Sequence, residues 1–292
     1  MSIQVPNAFQ QKYRNDFLLL AQQNGSRLYR TVRNDPDRLD GKAGFFDRIG
    51  AVAMTEITTR HQPTVLQNTP HSRRRITMRD FAFHDAVDWQ DVIRLGRDPS
   101  GKYGQNAIMA AGRQQDDLII SALGGSAYSM DDDDAATAVA LPSAQKVATG
   151  SGGMTLYKLR QAKKILDAAE AGTQEGAKRY CILTSYQVDD LLATTQVTSG
   201  DYNTIKALVN GEINTFLGFE FIRTERLIKS STTRYCYCYT QNALGIAIGQ
   251  NPEVEMAIRP DLNHSMQVSV YMTMDATRIE DVQVVQVACT ES

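Results

Sequence analysis

Hydrophobic positions recur along this chain with two different periods, and the switches between them mark out its elements. Phe9, Tyr13, Phe17 and Leu20 lie at helical spacing, so residues 8–23 predict an amphipathic helix with one apolar stripe. The turn-rich runs Asn24-Gly25-Ser26 and Asn34-Asp35-Pro36-Asp37 follow it. The polar segment up to Gly44 therefore reads as an N-terminal arm that packs on another region or another subunit. A frayed helix on its own domain is the alternative. From residue 50 to 59 the pattern turns β-like, with Val52, Met54 and Glu56-Ile57-Thr58-Thr59. A second extended segment covers residues 73–83, where Ile76 and Met78 alternate with Thr77 and Arg79. Between the two lie Pro63 and Pro70 with little apolar content, which predicts a long two-stranded excursion with a polar tip. An isolated hairpin is marginal in water, so a projecting one implies support from a neighbouring chain.

The clearest helix begins at Asp98-Pro99, because Asp is a good N-cap and Pro is favoured at the first helical position. Tyr103, Ala107, Ala110, Ala111, Leu118 and Ala122 continue it, and Gly124-Gly125 stops it. About 25 residues at about 1.5 Å each give a rod of roughly 37 Å. Its central face is rich in Ala and Gly, which lets another backbone come close. A shorter helix over residues 88–95 precedes it. Asp131-Asp132-Asp133-Asp134 reads as a solvated loop, and Thr149-Gly150-Ser151-Gly152-Gly153 as a linker into a second region. That region opens with a helix carrying Leu156, Leu159, Ala162 and Leu166, then a short buried strand at Cys181-Ile182-Leu183. Further helices are expected around Val188, Leu191 and Leu192 and around Ile205, Leu208 and Val209, with extended structure at residues 216–222. The remainder is strand-rich, at residues 235–239, 244–248, 254–258, 266–274 and 282–287. Met266, Val268, Val270, Met272 and Met274 alternate with Gln267, Ser269, Tyr271 and Thr273, the signature of a half-buried strand. The class is α+β, without an internal repeat.

Composition narrows the functional classes. At 292 residues with 42% hydrophobic positions, the chain is long enough to bury a sizeable core. Lys and Arg total 31 against 33 Asp and Glu, so the basic excess of a dedicated nucleic-acid binder is missing. No apolar run approaches the ~20 residues needed to cross a bilayer, and no signal peptide is visible at the N-terminus. Four cysteines scattered over this length point to a reducing compartment and not to a disulfide scaffold.

Catalytic signatures are missing as well: no G-x-S-x-G, G-x-x-x-x-G-K-[ST], H-E-x-x-H or helix-opening G-x-G-x-x-G is present. Cys236-Tyr237-Cys238 places two sulfurs on one strand face and tyrosines on the other, without the four converging ligands that zinc requires. These thiols read as small buried hydrophobes. His61, His71, His84 and His264 share no ligand spacing, and the four-Asp run lacks the spaced ligands of a calcium loop. No catalytic, cofactor or metal residue is assigned. The one dense basic cluster is His71-Ser72-Arg73-Arg74-Arg75 with Arg79. It reads as exposed charge on a hairpin, as salt-bridging to acidic groups of a neighbouring subunit, or as nucleic-acid contact; the last is disfavoured because no aromatics are interleaved for base stacking.

In their order, the arm, extended hairpin, long helix, mixed α/β region and closing strands resemble the major capsid proteins of tailed bacteriophages with the Hong Kong 97 type fold. Four stretches look like a podophage-type branch: Thr58-Thr59-Arg60-His61, Thr69-Pro70-His71-Ser72-Arg73-Arg74-Arg75, Asp201-Tyr202-Asn203-Thr204-Ile205-Lys206-Ala207-Leu208-Val209 and Gly218-Phe219-Glu220-Phe221-Ile222-Arg223-Thr224-Glu225-Arg226. The resemblance covers nearly the whole chain. It implies an arm at residues 1–44, an extended loop at 45–88, a peripheral domain with the spine helix at 89–140 and 252–292, and an axial domain at 141–251. It also implies a structural, non-enzymatic protein that forms hexamers and pentamers of an icosahedral head around double-stranded DNA, without sequence-specific binding. Portal, separate scaffolding and decoration proteins are the implied partners, no cofactor is implied, and assembly takes place in the bacterial host cytoplasm. In that layout Arg73, Arg74, Arg75 and Arg79 lie where one subunit overlaps the next. The reading expects Arg74→Glu to impair assembly while leaving the monomer folded, and it expects no isopeptide crosslinks. An encapsulin-like compartment shell is the alternative with the same fold, and a cytosolic enzyme the alternative from another class.

Overall fold

The computed structural model describes residues 19–34, 39, 41–60, 63–64, 66–88, 90, 100–130, 136–150, 152–172, 177–193 and 215–291. The expected short helix at 88–95, the helix around 205–209, the acidic run at 131–134 and most of the arm helix lie outside these residues.

The hairpin is real but sits earlier in the chain than its hydrophobic pattern suggests. Strands β1 (Arg33–Asn34) and β2 (Ala43–Ile49) are followed by β3 (His71–Thr77) and β4 (Arg79–Val87). The β2–β3 ladder runs antiparallel from Ala43 opposite Thr77 to Ile49 opposite His71. Gly50 closes it by donating its N–H to the Pro70 carbonyl at 2.8 Å. Residues 51–58, expected as a strand, form no ladder. Their period-2 apolar positions face solvent instead: Val52 is 61% exposed, Met54 fully so and Ile57 81%.

Helix α1 (Ser100–Gly124) covers the expected spine and ends within one residue of the expected stop. It packs on the long strands β13 (Leu244–Arg259) and β14 (Ser265–Arg278). At Gly104 the helix faces Val254, Met256 and Val268 of these strands. The two segments expected at 244–248 and 254–258 are one strand, interrupted only by register shifts between Ile248 and Glu253. One four-stranded sheet runs β1-β13-β14-β4, and another runs β2-β3-β5-β6 with β5 (Ala127–Met130) and β6 (Ala136–Val139).

The second region holds β7 (Lys146–Val147), α2 (Leu156–Ala168), β8 (Arg179–Leu183), α3 (Ser185–Ala193), β9 (Thr215–Phe216), β10 (Phe219–Arg223), β11 (Lys229–Ser230), β12 (Thr233–Thr240) and β15 (Val284–Thr290). Its seven-stranded sheet is ordered β7-β15-β12-β8-β10-β9, with β11 on β12. Thr155 starts α2 by accepting the Lys158 N–H on its hydroxyl, an ordinary N-cap. Leu159, Ala162 and Leu166 are fully buried at helical spacing against the sheet. Sheet membership divides the C-terminal strands: β13 and β14 belong with the spine helix, whereas β15 pairs with β12 and β7.

One buried cluster joins Leu118, Ile119, Ile120 and Leu123 of α1 to residues of α2, β8, β12, β14 and β15. The end of the glycine-rich segment expected as a linker is pinned beside it. Lys158 donates through Nζ to the carbonyls of Gly152 and Gly153 at 2.8 Å each and of Ala288 at 3.0 Å. Asp190 accepts the Met154 N–H at 2.9 Å and occupies the space a side chain at Gly153 would need.

Candidate assembly surface

Alternation along β2 and β3 splits the arginine cluster between two faces of the hairpin. Phe46 lies opposite Arg74 and Arg48 opposite Ser72, so these four share the inner face. Asp47 opposite Arg73 and Phe45 opposite Arg75 share the outer one.

On the outer face Arg73 bonds Asp47 at 2.9 Å, with both side chains at least 60% exposed. Such a pair contributes little in water and leaves the guanidinium accessible. Arg79 reaches Asp275 at 2.6 Å from an exposed position on β4. Arg75 is half-buried, and its Nε has no acceptor among the described residues.

Arg74 behaves differently. Its side chain is 3% exposed and donates to Asp281 at 2.5 Å and to the Ile279 carbonyl at 3.3 Å. Burial, offset in part by Asp281, lowers its pKa from the ordinary arginine value. Arg278, fully buried, shares Asp281 at 2.5 Å. Its remaining N–H groups reach the carbonyls of Leu123 (3.2 Å), Gly125 (2.7 Å) and Val139 (3.0 Å). A cation thus caps the C-terminal carbonyls of the spine helix, where the helix dipole favours one. The hairpin root, the spine end and the β14–β15 turn meet at Asp281. Removing Arg74 would leave part of that buried network unpaired, so Arg74→Glu strikes the subunit fold itself. The expectation of an intact monomer does not survive this burial.

Sequence patterns gave no sign of Asp281 or Arg278, because their partners are up to 207 residues away. A second distant carboxylate is Asp116, buried on α1. It accepts from Gln23 Nε2 at 2.5 Å, Ser26 Oγ at 2.6 Å and the N–H of Leu28 at 3.1 Å, which fastens the arm to the spine. Its neighbour Asp117 forms a two-pronged pair with Arg226, linking the spine to the segment after β10.

Sequence reasoning also missed the apolar part of the hairpin. Ile49, Val52, Met54, Ile57 and Leu66 are 61–102% exposed at and after the end of β2. A run of large apolar side chains in water is the usual mark of a surface that another molecule covers.

The thiols are held differently from a metal site. Cys181, Cys236, Cys238 and Cys289 are all buried and free. Cys238 lies opposite Cys181 in the ladder, with the sulfurs 3.2 Å apart, and burial pushes the Cys181 thiol well up. No group of three or more metal-binding side chains occurs among the described residues.

A family model described as phage capsid protein matches residues 5–291 of the chain. No curated protein matches the sequence. Among solved structures, the capsid of cyanophage P-SCSP1u is similar with a TM-score of 0.75 at 12% identity, over 98% of this chain and 94% of that one. The capsid of Ralstonia phage GP4 gives 0.74 at 11% identity, over 100% and 98%. The cyanophage Pam1 capsid gives 0.72 at 14% identity, over 97% of each chain. These likenesses establish a Hong Kong 97 type fold with its arm, hairpin, spine helix and mixed region. With the family model spanning almost every residue, the chain belongs to the phage capsid protein family, as a structural major capsid protein of the icosahedral shell.

Proposed function

We propose that the projecting hairpin is the main contact by which one copy of this chain lies over the next within hexamers and pentamers of the shell. The observation that carries this is the exposure of the large apolar side chains Ile49, Val52, Met54, Ile57 and Leu66, on a segment whose described residues between Gly50 and His71 join no ladder. Burying these side chains under a neighbouring copy yields about 25 cal/mol for each Å² removed from water. Arg73, Arg75 and Arg79 flank the same loop and supply guanidinium groups for carboxylates of that neighbour. Arg74 acts from inside, by fixing the hairpin root.

In this reading, residues 45–88 form the extended loop. Following sheet membership, the peripheral domain comprises 89–140 with β13 and β14, and the axial domain the seven-stranded sheet with α2, α3 and β15. The near-balance of charge, 31 basic against 33 acidic residues, suits a wall that encloses double-stranded DNA without reading its sequence. Portal, scaffolding and decoration proteins would complete a head built in the bacterial host cytoplasm, and the chain itself would carry no catalysis.

The test is the double substitution Met54→Asp with Ile57→Asp. Both side chains are fully or mostly exposed in the single chain, so the subunit keeps its unfolding midpoint. Shell yield, read by sedimentation and electron microscopy, falls at least tenfold. Shells at normal yield from this variant would remove the loop from the contact.

A further inference from the structure

The inner face of the hairpin root gathers more positive charge than it neutralises. Arg48 Nη1 donates to the Ile279 carbonyl at 2.9 Å, and Arg74 Nε donates to the same oxygen at 3.3 Å, so the two guanidinium groups meet at one acceptor. Arg278 joins Arg74 through Asp281, the one carboxylate bonded to any of the three among the described residues. Two acids adjacent in sequence are engaged elsewhere: Asp47 with Arg73, and Glu280 with the Gln283 side chain. The C-terminal carbonyls of the spine helix contribute about half a negative charge towards Arg278. Among the described residues bonded to the three, positive charge remains in excess around a residue that is 2% exposed.

Hydrogen bonding shows the same deficit independently. All the nitrogens of Arg278 have acceptors: Asp281 for Nε, three carbonyls for Nη1 and Val139 for Nη2. Arg74 Nη1 and Arg48 Nε are buried and have none among the described residues. A buried cationic donor without an acceptor is among the costliest groups to leave unmet. Two of them in one like-charged cluster call for an acceptor that also carries negative charge.

We propose that this cluster binds a small inorganic anion, chloride being the simplest, against the Arg74 guanidinium with Arg48 as the second donor. A carboxylate from a neighbouring copy does not meet the need, because Arg74 is already covered within the single chain. The anion would fasten the hairpin root to the β14–β15 turn and, through Arg278, to the end of the spine helix. The geometry at Asp281 therefore makes the root of the assembly loop sensitive to anion occupancy.

The probe is chloride, titrated into the full-length protein at constant ionic strength with gluconate, a bulky and weakly binding organic anion, as the replacement. Binding to the folded state alone lowers the apparent unfolding constant about tenfold for each tenfold rise in chloride above the dissociation constant. Arg48→Met removes this dependence, whereas Arg73→Met, on the outer face, retains it. Bromide substituted for chloride in a crystal of the unaltered protein should give an anomalous peak beside Arg74, a readout that does not rely on any variant folding. Equal stability in chloride and gluconate with no bromide peak would overturn the proposal and assign those donors to water. A chloride dependence that persists undiminished in Arg48→Met, with bromide bound elsewhere, would overturn it too.

Discussion

Glu291→Gln isolates one charge at the very end of the fold. The Glu291 side chain is 1% exposed and accepts from Arg234 Nε at 2.8 Å and Nη2 at 3.0 Å, Lys229 at 2.9 Å and Gln187 at 3.0 Å. Its backbone N–H also donates to Thr232 at 2.7 Å, so the chain end is bound to the seven-stranded sheet by both main chain and side chain. The Arg234 bond, with help from Gln187 and Lys229 and against the opposing effect of burial, lowers its pKa from 4.5 to about 2. At about 1.4 kcal/mol per pH unit, the folded state favours the ionised form by about 3 kcal/mol. A pKa depressed on folding stabilises above the unfolded value and loses that stabilisation as pH falls through the folded one. The advantage of the unaltered chain over Glu291→Gln is therefore fully present at pH 7, declines below about pH 5 and is gone near pH 2. Urea unfolding of both proteins, followed by far-ultraviolet circular dichroism at pH 7, 5, 4 and 3, measures the difference directly. Titration of every other acid is common to both chains and cancels. A difference below about 1 kcal/mol at pH 7, or one unchanged down to pH 3, would refute the assignment of this stability to the Glu291 charge.

Two spine glycines should respond in opposite directions to alanine. At Gly112 the added Cβ would lie 2.6–2.7 Å from the backbone of Gly25 and Ser26, so Gly112→Ala should cost about 2 kcal/mol and loosen the arm held by Asp116. At Gly104 the nearest atom is 3.5 Å away, so Gly104→Ala should stabilise by about 0.5–1 kcal/mol; thermal unfolding of the two variants checks both signs. The four buried thiols should stay silent towards an aromatic disulfide reagent in the folded protein and all react in denaturant, since burial denies the reagent access. Rapid labelling of any of them in the native state would contradict their placement in the core.

What the sequence disclosed was whatever leaves a local or periodic trace. The spine helix was legible because its Ala-rich face and glycine stop lie within one stretch, and its C-terminal end came out within a residue. The alternation of Met266 to Met274 identified the strand now paired between β13 and β4. Period 2 misled at residues 50–59, because Val52, Met54 and Ile57 carry a strand's pattern while facing away from the chain's own core. An apolar position covered by another copy is indistinguishable in sequence from one covered at home. Arg74 misled for the converse reason: among four similar arginines, only its placement opposite Phe46 on the inner face decides that it is buried. Its acceptor at Asp281, like the arm's acceptor at Asp116, is defined by packing across most of the chain and leaves no spacing to read. The glycine-rich stretch before α2 read as a linker on composition, whereas its carbonyls are bound by Lys158 in three dimensions.

Cryo-electron microscopy of the purified full-length protein decides whether this chain builds a shell through its hairpin. Closed shells, sheets or tubes of hexameric rings are expected, with density for residues Ile49 to Leu66 lying on the adjacent subunit. A monodisperse monomer or small oligomer under every condition tried, or shells in which that loop touches no neighbour, would contradict it.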